Sequence, residues 1–294
     1  MTKFEITRKS RNIHIIDCIG KSKDFLLISD VHWDNPHCDR ALLKNHLDEA
    51  VKRDALIVIN GDLFCCMQGK ADPRRGKSDI RPEHNNNKYI DSIINTAAEW
   101  FKPYANNIVL IGYGNHETGV LKNAETDIIE RFVEKLNTVA NSNVYAGGYG
   151  GTLHVNLSES DGQKSYSFVT HYYHGAGGGG PVTRGVISDQ RMLAMSENYD
   201  LIWQGHVHEL YHHINPVHRY DRISKNISIR HVHQLRTATY KEEWDEGYIG
   251  FHVERGRPPK PLGGYWMTLN IRRDNKSDYN RYVDAEFLTC TRYY

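Results

Sequence analysis

Five short groups of carboxylate, amide and imidazole side chains stand in order along the chain: Asp30-Val31-His32, Gly61-Asp62, Gly114-Asn115-His116-Glu117, His171, and Gly205-His206-Val207-His208. Their donors are oxygen and nitrogen without sulfur, a set that suits Mn, Fe, Zn or Ni better than a soft metal. Asp30 and His32 alternate at an expected strand end, so both point the same way and can grip one cation. Asp62 has two oxygens with which to bridge two cations, Asn115 supplies a neutral amide oxygen, and His206 and His208 again share a face. Two such ions about 3.5–4 Å apart make a hydroxide nucleophile and clamp both oxygens of an in-line phosphoryl displacement.

Each group needs an element to aim it, and each follows an apolar run: Phe25–Ser29, Leu56–Ile59, Ile108–Ile111, Tyr166–Thr170 and Leu201–Trp203. Buried strands that deliver side chains at their C-terminal tips are how an open α/β sheet builds a site. Between them, residues 39–53 place Leu42, Leu43, His46, Leu47, Ala50 and Val51 at helical spacing. Further helices are expected over about 87–104, about 124–140 and about 188–198, which makes a βαβ alternation with parallel strands. The residues from 209 on read mostly as strands. Helices first and strands later suggest two sheets packed face to face with helices outside. We expect one domain over 1–294, with a possible lid insertion at 67–88 and a strand-rich C-terminal extension from about 209.

Composition narrows the class. At 294 residues the chain can bury one large core or two modest ones, and a net charge of +1 supplies no global basic field for nucleic acid. The longest apolar runs are strand-length, so no membrane span is expected. Five scattered cysteines without a CxxC spacing argue against a thiolate zinc site and fit reduced thiols in a cytoplasmic protein.

The ordered string D-x-H, G-D, G-N-H-E, H, G-H-x-H, each part after a strand, resembles the calcineurin-like metallophosphoesterase family from residue 30 to residue 208. The resemblance implies a four-layer α/β/β/α sandwich of two mixed sheets flanked by helices, with two divalent ions, Mn first and Fe, Zn or Ni as alternatives. One metal would take Asp30, His32, Asp62 and His208, and the other Asp62, Asn115, His171 and His206. His116 would stabilise the transition state or protonate the leaving alkoxide, oriented by Asp34. His171 directly follows its strand, so it is the expected ligand, and His174 would then line the substrate pocket.

Protein Ser/Thr phosphatases of this family place Asp-Arg-Gly after the second group, whereas here Asp62 precedes Leu63-Phe64-Cys65-Cys66-Met67. Gly61-Asp62-Leu63-Phe64 is more similar to the Mre11-type nucleases and other phosphodiesterases. The expected substrate is therefore a phosphodiester of nucleic acid or a nucleotide. The alternative is a phosphomonoesterase on a small molecule or phosphoprotein, and the third reading a catalytically silent scaffold. The excursion Gln68–Lys88 is either a lid presenting Arg74, Arg75 and Arg81 to phosphate or a solvated loop. The Gly175–Gly180 run is either a loop whose N–H groups approach substrate or slack chain. Arg255, Arg257, Lys260, Arg272 and Arg273 are a solvated face or a weak nucleic-acid patch. The oligomeric state has no signal in the sequence.

Overall fold

The computed structural model describes residues 4–68, 76, 79–180, 182–244, 251–254, 256–274 and 277–292. Its elements run β1 (Phe4–Ser10), β2 (Ile13–Ile19), β3 (Ser22–Ile28), α1 (Arg40–Lys52), β4 (Leu56–Ile59), α2 (Tyr89–Phe101), β5 (Ile108–Ile111), α3 (Asn115–Ala124) and α4 (Ile128–Ala140). They continue β6 (Tyr145–Ala146), β7 (Gly150–Ser158), β8 (Tyr166–Tyr173), α5 (Val186–Met195), β9 (Leu201–Gln204), β10 (Tyr211–Tyr220), β11 (Ile227–Arg236), α6 (Phe251–Glu254), β12 (Gly263–Asp274) and β13 (Ser277–Thr291).

The strands form two mixed sheets. A seven-stranded sheet has the order β1-β2-β7-β8-β9-β11-β10, and a six-stranded sheet has the order β13-β12-β3-β4-β5-β6. In the smaller sheet β3, β4, β5 and β6 are parallel, and β12 joins β3 antiparallel. Alternation along the strands sorts their side chains into two cores. Leu26, Ile28, Ile57 and Ile59 turn to Leu43 and Leu47 of α1, Ile93 and Phe101 of α2, and Phe132 and Leu136 of α4. Phe25, Leu27, Leu56 and Val58 turn the other way and meet Leu153, Val155, Leu201, Trp203 and Leu235 between the sheets. On the outer face of the larger sheet, Gln190 of α5 donates to Gln234 of β11 at 2.9 Å. This is the α/β/β/α sandwich that the resemblance implies.

Two local expectations change. The helix expected over about 124–140 is α4, which begins at Ile128 because Asp127 caps it by accepting from Glu130 N; a separate helix not expected from the sequence, α3, precedes it and ends where Glu125 adopts left-handed backbone. Gly114-Asn115-His116-Glu117 is therefore no strand tip: Asn115 and His116 open a helix. In α1, Leu43, Leu47 and Ala50 are buried, but Val51 is 43 % exposed. The chain from 209 on returns to both sheets, β10 and β11 extending one and β12 and β13 the other.

Candidate metal centre

The C-terminal ends of β3, β4, β5 and β9 lie side by side, and the chain leaves each one through a tight turn. The turn after β3 runs along the turn after β4: Asp30 N donates to Gly61 O (3.0 Å), His32 N to Asp62 O (3.0 Å) and Trp33 N to Leu63 O (2.8 Å). Asp30, His32, Asp62, His206 and His208 all have positive φ, at 51°, 49°, 49°, 74° and 57°. Such backbone is uncommon outside glycine, costs roughly 1–3 kcal/mol per residue, and clusters at functional sites. It also corrects the geometry expected from the sequence. Period-two alternation ends with the strand, so His206 and His208 do not share a face but turn to different partners.

Those partners form two groups. Asp30, His32 and His208 bring one donor atom each within 4.8 Å of one another, and so do Asp62, His174 and His206. In the first group His32 Nε2 and His208 Nε2 face each other at 3.4 Å, and His208 Nε2 lies 3.3 Å from Asp30 Oδ1. In the second, His174 Nε2 lies 3.2 Å from Asp62 Oδ2 and 3.9 Å from Asp30 Oδ1. Asn115 joins the second group through its Oδ1, 2.7 Å from His206 Nδ1.

The structure brings His174, and not the expected His171, into the second group. β8 runs on to Tyr173, so Thr170 and Tyr172 point inward and His171 outward, where it bonds Ser196 Oγ (2.9 Å) and stacks on Tyr199. His174 is the first residue past the strand and is fully buried. Its Nδ1 donates to Asn60 O (2.8 Å), which turns Nε2 to the carboxylates.

The donor set fits divalent cations. His174 Nε2 and His32 Nδ1 are buried without a hydrogen-bond partner among the described residues, and His174 Nε2 is aimed between Asp62 and Asp30. Burial, then the nearby His174, lowers the affinity of His206 for a proton, so the ring is neutral near pH 7. Its single proton goes from Nε2 to Gly177 O (2.8 Å), leaving the Nδ1 lone pair opposite the Asn115 oxygen. Two acceptors that close are reconciled by a cation between them. Burial opposes ionisation of Asp30, yet the His174 and His208 imidazoles hold its carboxyl down at about 2. Burial pulls His174 down, but Asp62 and Asp30 carry it up to about 10, so without metal a proton partly neutralises the two carboxylates.

The Asp62 turn is held from below by Glu117 in the first turn of α3. Glu117 Oε2 accepts from Asp62 N (3.1 Å) and Gly114 N (2.8 Å), and Oε1 from Phe64 N (2.9 Å). The N-terminus of α3 points at Asp62, whose Oδ1 accepts from His116 N at 3.0 Å. Glycine is required at two places here. Gly61 has φ +78° and a Cβ there would lie 2.5 Å from His174 Nδ1, while a Cβ on Gly114 would lie 2.0 Å from Asp62 Oδ1.

His116 donates from Nδ1 to Cys65 O (2.6 Å), so Nε2 faces the cavity, 3.8 Å from Asp62 Oδ2. Asp34 acts on it through that same turn: its oxygens accept from Cys65 N (2.5 Å) and Cys66 N (2.9 Å), and Tyr89 OH donates to it at 3.3 Å. Burial pushes the Cys65 thiol up, so it stays protonated beside His32 and His116.

The expected substrate residues separate. His174 moves to the metal group. Arg81 spends its guanidinium on the carbonyls of Asn35 (3.0 Å), Pro36 (3.4 Å) and Cys38 (3.2 Å), which makes it a clamp on the turn before α1. Arg74 and Arg75 lie outside the described residues, as do Lys70 and Lys77. The cavity over the site is about 550 Å³ and is lined by His116, Asn115, Gly177–Gly179, Lys241, Arg257 and Lys260 among others. Arg257 and Lys260 thus belong to the site, and the glycine loop forms one wall. Lys241 had no signal in the sequence, because it reaches the site only through the return of the chain after β11.

The calcineurin-like phosphoesterase family model matches residues 23–210. No curated protein matches the chain. Among solved structures, the chain is similar to a conserved uncharacterized protein, a predicted phosphoesterase, from Streptococcus pneumoniae, with 13 % identity, TM-score 0.32, and 92 % of this chain and 90 % of that chain covered. It is also similar to Vps29 of Chaetomium thermophilum, with 10 % identity, TM-score 0.34, and 92 % and 98 % covered. The family match takes in every group from Asp30 to His208 and stops at the start of the C-terminal strands, and on that match the chain belongs to the calcineurin-like phosphoesterase family.

Proposed function

We propose that the chain is a dinuclear-metal-dependent phosphodiesterase acting on nucleic acid or nucleotide phosphodiesters. The observation that carries this reading is the pair of donor groups side by side under one cavity, with His116 Nε2 facing the same space. In it Asp30, His32, Asp62 and His208 hold one ion, and Asp62, Asn115, His174 and His206 the other. When bound, two divalent ions, Mn2+ first, supply Lewis-acid activation of water and of the phosphoryl oxygens. The chain's own residues do the rest. His116, kept as the Nδ1–H tautomer by Cys65 O, presents Nε2 as the atom that carries a proton to the leaving oxygen. Arg257, with Lys241 paired to Glu243 and Lys260 paired to Glu209, lines the cavity wall where a phosphodiester's flanking groups would lie. A volume of about 550 Å³ is of nucleotide scale.

The choice of diester over phosphoprotein rests on the residues after Asp62. Leu63 and Phe64 are fully buried, with Phe64 packed edge-on against Phe132, so this turn offers no arginine to phosphate.

The expected outcome is Mn2+-dependent hydrolysis of bis-p-nitrophenyl phosphate, abolished in Asp62→Ala and His208→Ala. In His116→Ala turnover falls by about a hundredfold or more while metal content is kept. Preference for p-nitrophenyl phosphate would put the monoesterase reading first, and a folded protein without turnover on either ester, with any divalent metal, would leave the scaffold reading. Degradation of labelled DNA, compared with cyclic nucleotides, separates polymer from small substrates.

A further inference from the structure

The segment from Arg236 to Tyr240 lies beyond the family-matched span, yet it is as buried as any strand. Arg236 is 1 % exposed, and Thr237, Thr239 and Tyr240 are fully enclosed. The side chains of Arg236, Thr237 and Thr239 are directed at the turns that carry Asp30 and His206, while the Tyr240 hydroxyl bonds His46 of α1 (2.8 Å).

Arg236 is a buried charge paired with the buried Asp189 of α5. Its Nε also donates to Tyr211 OH (3.1 Å), and its Nη2 to Gln204 Oε1 (2.6 Å) and Ser188 Oγ (3.0 Å). Nη1 donates to Gly205 O at 2.5 Å, the carbonyl immediately before His206. The guanidinium therefore fixes the left-handed turn that sends His206 to one donor group and His208 to the other.

Thr237 closes a chain of donors whose direction is forced. The Trp203 indole N–H can only donate, and does so to Thr237 Oγ1 at 3.0 Å. Ser29 Oγ lies 2.5 Å from Asp30 Oδ2, and an ionised carboxylate can only accept. The remaining contact, Thr237 Oγ1 to Ser29 Oγ at 2.6 Å, must therefore carry the threonine proton. Asp30 Oδ2 accepts from Ser29 and from His206 N (2.9 Å), an amide it shares with Oδ1 (3.1 Å), and Oδ1 is the oxygen turned to His208 (3.3 Å). Thr239 Oγ1 (2.7 Å) and Tyr240 N (3.1 Å) donate together to Asp30 O, pinning the backbone of a residue at φ 51°.

We propose that Arg236, Thr237 and Thr239 are positioning residues for the metal ligands Asp30, His206 and His208. The proposal rests on the two-metal reading above. Partners of this outer kind fix ligand orientation and typically govern metal affinity by about ten- to a hundredfold.

The test is Mn2+ binding by equilibrium dialysis and by the EPR signal of bound Mn2+. It uses the full chain, as wild type and as Thr237→Val, Thr239→Val, Thr239→Ser and Arg236→Lys. Valine keeps the volume and removes the hydroxyl, while serine keeps the hydroxyl. The expected result is a Kd for Mn2+ raised about ten- to a hundredfold in both valine variants and restored by Thr239→Ser. The Tm of the metal-free protein should fall somewhat in Thr237→Val, where the Trp203 N–H loses its acceptor, and less in Thr239→Val, so the loss of affinity is read against each variant's own Tm. Wild-type affinity in both valine variants would overturn the proposal. So would a loss of metal-free Tm that accounts for the loss of affinity, since that is what fold support alone predicts. Arg236→Lys should also weaken Mn2+; if it does not fold, the threonine pair still decides. Wild-type protein that binds no Mn2+ overturns the two-metal reading itself, and is recognised because the variants then differ from it in nothing.

Discussion

At the scale of the residue, the decisive position is His174. The other candidate ligands sit just past their strands: Asp30 after Ile28, Asp62 after Ile59, His206 after Gln204. Taking β8 to end at Thr170 selects His171; letting it run through Tyr172 and Tyr173 selects His174. The two tyrosines are β-formers, so the signal for the longer strand was present, but proximity to the apolar run outweighed it. We predict that His174→Ala lowers bound metal from about two ions per chain to about one, measured by elemental analysis, while His171→Ala keeps full metal content and near-normal turnover. Equal loss in both would refute the correction. The same residue sets a pH dependence. Its proton affinity in the metal-free protein is raised from the ordinary 6.5 to about 10, so its stabilising charge is fully present below 6.5 and is lost as pH rises through about 10. A metal must displace that proton, so Mn2+ affinity should rise with pH across this window, roughly tenfold per unit for one proton. Calorimetry in buffers of different ionisation enthalpy should show proton release on binding; no buffer dependence at pH 7 would contradict it.

At the scale of the element, strands and most helices were legible because their periodicity is local. What was not legible is how the chain turns at each strand end. The left-handed φ of Asp30, His32, Asp62, His206 and His208 depends on contacts between turns far apart in sequence, such as His32 N on Asp62 O. The helix opening at Asn115 was hidden for a similar reason: its first turn is stabilised by Glu117 clasping backbone of another loop. That clasp yields a prediction. In Glu117→Gln the single amide oxygen can accept from Asp62 N and Gly114 N, but the NH2 group must then face Phe64 N, leaving donors unpaired at about 1–3 kcal/mol. Urea unfolding should show that loss, and bound metal should fall with it. A glutamine variant as stable as wild type would mean the carboxylate is not the clasp.

At the scale of the whole molecule, the order of helices and strands suggested two face-to-face sheets and the resemblance implied the four-layer sandwich, but the C-terminal third had no reading beyond strands. Pairings between strands that are not neighbours in sequence leave no local mark, which is why the return of β12 to β3 and β11 to β9 was invisible. A chain cut after residue 210 should therefore fail to give soluble protein, since it leaves open edges on β3 and β9; recovery of a soluble, metal-binding fragment would contradict this. The interleaving also sets a timetable. All the candidate ligands have been synthesised once His208 is added, but their holders at Arg236–Tyr240 and the strand beside β3 come later. At about 5–20 residues per second, the roughly 80 residues from His208 to Thr291 delay completion by about 4–17 s. During that interval a nascent chain carries loose carboxylates and imidazoles, free to take whichever divalent ion binds such donors most tightly. On the two-metal reading, a site able to select among metals can form only after β12 and β13 have closed the sheet beside β3.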